Sequence, residues 1–256
     1  MTNQEILKIA MEQSASDLCA VASDFESKEN KVVISYKSEM ARRSLKLPFS
    51  CQLVSYGNNT VASVSQEFKE IAESYMSKYP CEHLFETPNI HVLNDALREK
   101  GQKICCMAEY FLPDVDALHI IDCPYEVRML EQSDFVNLYL PEWSNALCKE
   151  RKHLDVLGFG AYDSGRLIGL AACSADCDSM WQIGVDVLPD YRRKKVASSL
   201  TSRLAIEILK RGKVPFYCAA WCNIRSVRNA IRAGFRPAWV EMTAKPSKTV
   251  DEMNER

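Results

Sequence analysis

The sequence predicts a mixed α/β protein, and two observations carry that prediction. Short runs rich in β-branched and aromatic residues alternate along the chain with segments whose apolar residues recur at helical spacing. From Met180 onward, a strand, a basic turn, a helix, a second strand and a second helix follow one another within about 55 residues. Composition fits a globular chain: 256 residues, 47% hydrophobic, 26% charged, formal net charge −2. It excludes collagen-like, disordered and disulfide-framework classes. No window has the run of about 18 apolar residues that a membrane span needs. The start, MTNQEILKIAMEQ, lacks a basic then apolar leader pattern, so a cytoplasmic location is expected. Eleven cysteines cannot all pair, and reduced thiols are the natural reading.

In the first half, residues 4–13 set Ile6, Ile9 and Ala10 at helical spacing, and KVVISYKS (31–38) and CQLVSY (51–56) read as strands. Gly57-Asn58-Asn59 supplies turn chemistry. Residues 65–79 place Phe68, Ile71, Ala72, Tyr75 and Met76 on one helical face that Pro80 ends. A helix over about 90–100 stops at Gly101, and ICCMAEYFL (104–112) suits a buried strand. Two prolines between 113 and 124 suggest a boundary there, giving domains at 1–122 and 123–256; one sheet continuing across this point is the alternative. A strand at 125–130, a helix-compatible stretch at 133–151 and a hairpin turning at Ser164-Gly165 follow.

Charge is unevenly shared. Residues 1–122 carry 12 Lys and Arg against 18 Asp and Glu, whereas residues 123–256 carry 20 against 16. An anionic ligand is therefore expected in the second half. WQIGVDVL (181–188) alternates Trp181, Ile183, Val185 and Val187 against Gln182, Gly184 and Asp186. After Pro189, Tyr191-Arg192-Arg193-Lys194-Lys195 leads into a helix with Val196, Leu200, Leu204 and Ile208 on one stripe, ended at Gly212. Cations are misplaced at this helix end, because the N-terminus carries about half a positive charge and unpaired N–H groups. A bound anion, phosphate above all, resolves the conflict; a solvated basic loop balanced by Asp186 and Asp190 is the alternative. FYCAAWC (216–222) is a strand, and Asn223 caps a helix with Ile224, Val227 and Ile231 on one face before Gly234-Phe235.

QIGVDVLPDYRRKKVASSL with CNIRSVRNAIRAGF resembles the GNAT superfamily of N-acetyltransferases over about residues 124–245. The family's Arg/Gln-x-x-Gly-x-Gly/Ala after a Val-x-Pro strand end matches Val187, Pro189, Arg192, Lys195 and Ala197, with Lys195 in place of the first Gly. Either Lys195 takes a negative φ and adds a phosphate contact, or CoA affinity is weakened. The resemblance implies a twisted, mixed, mostly antiparallel sheet flanked by helices and preceded by an additional α/β domain. Two parallel strands, 182–188 and 215–221, splay to admit acetyl-CoA. Its pantetheine is expected to pair with the backbone of Asp186 to Leu188, including Val187. Its diphosphate is expected on Arg192, Arg193, Lys194, Lys195, Val196, Ala197 and Ser198, with Asn223 and Ser226 near the thioester. The implied reaction is transfer of an acetyl group to a primary amine, with a binding-only acyl-CoA sensor as the alternative.

Where many relatives have a Tyr that protonates the departing thiolate, this chain has Ala230. Ser226, Tyr191 and Tyr217 are substitutes by type, and Asp186 is the candidate base through a water. The scattered His and Cys show no metal-ligand spacing, and no phosphate-loop or dinucleotide motif is present. Nucleic acid and membrane are not expected as partners; a homodimer is left open. Residues 1–122 are open to acceptor recognition, dimerisation or descent from a second copy of the same fold.

Overall fold

The structure, a computed structural model, describes residues 1–255. In chain order the regular elements are α1 (Asn3–Leu18), β1 (Lys31–Ile34), β2 (Cys51–Ser55), β3 (Thr60–Val64), α2 (Lys69–Lys78), α3 (Thr87–Arg98), β4 (Gln102–Pro113) and β5 (Glu126–Glu131). They continue with β6 (Asp155–Asp163), β7 (Arg166–Ser174), β8 (Met180–Val187), α4 (Val196–Lys210), β9 (Val214–Ala220), α5 (Ile224–Arg232), β10 (Phe235–Pro246) and α6 (Ser247–Asn254). The expected mixed, mostly antiparallel architecture flanked by helices is present. Among the described residues no helix is long and apolar enough to cross a membrane.

Two compact units divide the chain, and neither is continuous. One comprises Met1–Ile9 with Tyr110–Pro237, the other Ala10–Glu109 with residues 238–255. The divisions fall at 109/110 and 237/238 rather than at 122/123, because β4 and β10 each carry the chain from one unit to the other.

In the unit built on Tyr110–Pro237, strands follow the order β9-β8-β7-β6-β5. β5 to β8 are successively antiparallel, and β8 and β9 are parallel. The β6–β7 turn uses Ser164 and Gly165, both at positive φ, as a two-residue hairpin of matching twist requires. The expected stripe of α4 is realised: Val196, Leu200, Leu204 and Ile208 are buried against Phe111, Leu157, Ile168, Ile183 and Tyr217.

Two expectations for this unit change. Residues 133–151 form no α-helix but short 3-10 turns at Gln132–Phe135, Pro141–Trp143 and Lys149–Leu154. Their buried residues, Phe135, Trp143, Ala146 and Leu147, pack around Leu170 and Ala172. In α5 the buried positions are Asn229 and Ala230, while Ile224 and Ile231 are exposed. The helix is therefore turned relative to its apparent apolar face.

In the other unit, β3 lies between β1, to which it is parallel, and β2, to which it is antiparallel; β10 pairs with β2 on its far side. β3 was not expected, because both its faces are buried and its sequence shows no alternation. One sheet face, Leu53, Ala62, Val64, Met242 and Ala244, packs with Phe68, Tyr75 and Leu97 of the α2–α3 region. The opposite face holds a buried polar network. Arg42 bonds Asp17 and Glu241, and Gln52 and Trp239 donate to Glu241. Burial raises the Asp17 carboxyl above its ordinary range, against the lowering pull of Arg42.

Candidate functional site

The site is built where β8 and β9 part. Their parallel register runs from Met180↔Val214 to Ile183↔Tyr217 and stops, although β8 continues four residues and β9 three. On its other edge β8 remains paired with β7 to Gly169↔Val187, and Leu188 N–H donates to the Ile168 carbonyl at 3.0 Å. Antiparallel alternation then directs the backbone groups of Val185 and Val187 to the side that β9 has left. This revises the expected Asp186-to-Leu188 contact: the Leu188 N–H is committed to β7. The Val187 carbonyl accepts from Arg192 Nε at 3.0 Å.

The turn after β8 is shaped for an anion. Pro189–Tyr191 forms a 3-10 turn, Arg192 is extended, and Arg193 and Lys195 both sit in the left-handed region, at φ 63° and 64°. Lys195 therefore adopts the glycine-like conformation of the position it occupies, not the negative φ considered from the sequence. Left-handed residues within a turn gather successive N–H groups into a concavity that suits anions. The first rung of α4 is Ser199 N–H to the Lys195 carbonyl, so the amides of Val196, Ala197 and Ser198 precede its hydrogen-bond ladder. Ser198 Oγ turns back to the Lys195 carbonyl at 3.1 Å. Lys194 Nζ lies 5.1 Å from the centre of the Tyr191 ring.

On the β9 side, Asn223 caps α5, its Oδ1 accepting from Ser226 N–H at 3.2 Å. Ser226 Oγ and Tyr217 Oη are 2.7 Å apart. Tyr217 is the last β9 residue paired with β8, and burial raises its hydroxyl pKa, so the O–H stays protonated and can donate. Ala230 is fully buried in the core and offers no hydroxyl.

The other two candidates are committed elsewhere. Asp186 accepts three hydrogen bonds, from Asn145 Nδ2 at 2.7 Å and from the N–H groups of Asn145 and Ala146 at 2.9 Å each. The same segment crosses Gly184 so closely that a Cβ there would lie 1.9 Å from the Asn145 carbonyl oxygen. Tyr191 donates to Asp163 Oδ2 at 2.9 Å and packs edge-on against Tyr125; the Asp163 bond is the main cause of its raised pKa. Asn145 and Asp163 were not singled out in the sequence, although Gly184 amid a strand is the signal of a close backbone approach. Next to this segment, Tyr139, Leu140, Ser144, Leu147, Cys148 and Glu150 help line a cavity of about 280 Å³. All eleven cysteines are free, and among the described residues no group of three His, Cys, Asp or Glu is arranged to hold a metal.

A family model described as GNAT acetyltransferase matches residues 66–238. The chain belongs to the GNAT acetyltransferase family. The match begins well before residue 124, so the likeness of this GNAT chain to its family reaches into the half in which the sequence showed no motif. No curated protein matches the chain significantly. Solved structures of similar fold include a GNAT-family protein from Novosphingobium aromaticivorans, 20% identical, covering 56% of this chain and 66% of that one at a TM-score of 0.43. A GCN5-related N-acetyltransferase-like protein from Streptococcus suis is 19% identical, with coverage of 61% and 69% and a TM-score of 0.45. A GCN5-related N-acetyltransferase from Kribbella flavida is 15% identical, with coverage of 61% and 63% and a TM-score of 0.45. The chain thus spans about two thirds of the length of these relatives.

Proposed function

We propose that the protein transfers an acetyl group from acetyl-CoA to a primary amine. The observation that carries this reading is the end of β8–β9 pairing at Ile183/Tyr217, four residues before the end of β8, with a cationic turn that holds two left-handed residues following that strand. The residues fit the donor. Val185 and Val187 present strand-edge groups to the pantetheine amides, as a sheet edge accepts a peptide. Arg193, Lys194, Lys195 and the amides of Val196, Ala197 and Ser198 serve the diphosphate. Arg192, bonded to the Val187 carbonyl, releases that carbonyl when it turns toward phosphate.

The neutral amine attacks the thioester carbonyl carbon, the C–S bond breaks, and the departing sulfur needs a proton. Ser226 supplies it and is replenished by Tyr217 at 2.7 Å, and Tyr217 in turn regains, through water, the proton that the amine nitrogen loses as the amide forms. Asp186 acts as a positioning residue that holds Asn145 and Ala146 across Gly184. The acceptor is a small molecule or a protein amine. The acidic balance of residues 1–122 supports a cationic acceptor.

Calorimetric titration with acetyl-CoA, combined with thiol release over a panel of amines, tests the proposal. Binding that falls at least tenfold in an Arg193→Ala, Lys195→Ala variant, with amine-dependent release of CoA, is the expected result. Binding without release from any amine identifies an acyl-CoA sensor instead, and undiminished binding in the double variant refutes the anion turn.

A further inference from the structure

Outside the GNAT site, three sulfur atoms converge on the surface of the unit built on Ala10–Glu109. Cys105 Sγ lies 3.2 Å from Cys106 Sγ and 3.6 Å from Met253 Sδ. Neighbouring strand residues ordinarily point to opposite faces. Here the alternation is interrupted, because Ile104 and Met107, three apart, both pack against the α2–α3 core. The Ile104 N–H leaves the strand pattern and donates to Asn94 Oδ1 at 3.0 Å. Both intervening thiols are thereby brought together, as at a bulge.

The third sulfur is held there by independent contacts. Ser247 N–H donates to the Gly101 carbonyl at 2.8 Å, and Lys103 Nζ pairs with Asp251. These fasten α6 along β4 and set Met253 over Cys105. Cys106 is exposed, Cys105 half-buried and Met253 40% exposed, so the cluster is open to a solute. An alternative core role does not account for three sulfurs gathered at an exposed edge. Two thiols and a thioether, with no His or carboxylate among them, form a soft set of three donors that suits Cu(I) and disfavours hard cations, whereas a structural zinc site closes with four ligands.

We propose that Cys105, Cys106 and Met253 form a three-coordinate Cu(I) site. Binding releases the two thiol protons to solvent, forms two Cu–thiolate bonds and one Cu–thioether bond, and changes no oxidation state. The complex carries one negative charge, which Lys245, close enough to act electrostatically on Cys105, offsets.

Anaerobic titration of the full chain with Cu(I) against a bicinchoninate competitor tests this, with the ultraviolet thiolate-to-copper band as readout. The nine other cysteines are common to every variant and supply the background. Wild-type protein should bind one equivalent more than the Cys105→Ser, Cys106→Ser variant, and Met253→Leu should keep that equivalent with about tenfold weaker retention. Equal stoichiometry in the double serine variant, or a Met253→Leu curve superimposing on the wild type, overturns the proposal. Should the serine variant misfold, alkylation of wild-type protein decides: one equivalent of Cu(I) should protect Cys105 and Cys106, and unprotected thiols at both positions overturn the site.

Discussion

Lys195 holds a left-handed backbone conformation that costs a residue with a Cβ about 1 to 2 kcal/mol. Glycine adopts it freely but loses more entropy on folding, so Lys195→Gly should raise stability by about 1 kcal/mol in urea denaturation. The same substitution should weaken acetyl-CoA binding if the ammonium reaches phosphate, separating conformation from charge at one position. The match to the family motif at Arg192, Lys195 and Ala197 was legible in the sequence, but the sign of φ at Lys195 was not, since it depends on how the turn closes onto α4. Ser226 shows the same limit. Its spacing from Asn223 was readable, whereas its contact with Tyr217 joins residues on two elements. Ser226→Ala should lower kcat about 100-fold with little change in KM, as loss of a proton donor predicts. Unchanged steady-state kinetics would remove Ser226 from the reaction.

The irregular segment between β5 and β6 is held by carboxylates on neighbouring strands. Asp186 grips residues 145 and 146, and the nearly inaccessible Asp155 accepts from Cys148 N–H at 3.0 Å. Helical spacing in 133–151 therefore misled, because what organises the stretch is hydrogen bonding to residues 7 and 41 positions away. Burial raises the Asp155 pKa from 3.8 to about 6. The folded state thus binds this proton more tightly than the unfolded chain, so the stability it contributes is present below about pH 4 and lost as pH rises through 6. Asp155→Asn keeps an acceptor for Cys148 without the charge. The variant should lose this part of the pH dependence, gaining about 1 to 3 kcal/mol over wild type between pH 4 and 7 in urea melts. Identical slopes would show that Asp155 does not titrate in that range. Gly184→Ala tests the other contact: with the Asn145 carbonyl in the way, it should destabilise by about 1 to 3 kcal/mol or displace the segment.

At the scale of the whole molecule, the parallel strand pair and the anion turn were readable because strand, turn and helix are contiguous in sequence. The division into units was not, because it depends on where β4 and β10 lie, and prolines at 113 and 124 report only local chain breaks. A fragment of residues 123–256 omits Phe111, which is fully buried in the GNAT core, and Asp114, whose N–H donates to the Gly234 carbonyl at 2.8 Å. It also loses the Ile121 carbonyl that accepts from Ser199 Oγ, and Asn3, which bonds Asp114 and Val115. That fragment should show no cooperative thermal transition, whereas the full chain should.

The interleaved path also sets a schedule for synthesis. A ribosome that has released residues up to 109 has made most of one unit but not Met242 and Ala244 of its core, nor Glu241, to which Arg42 and Gln52 bond. Completion of that unit waits until after the other has emerged as far as residue 237. In the interval the edge of β2 that receives β10 stands without its final partner strand. The nascent chain is thus exposed to aggregation during elongation, and holding by a chaperone at that stage should raise its soluble yield more than it would for two domains laid end to end.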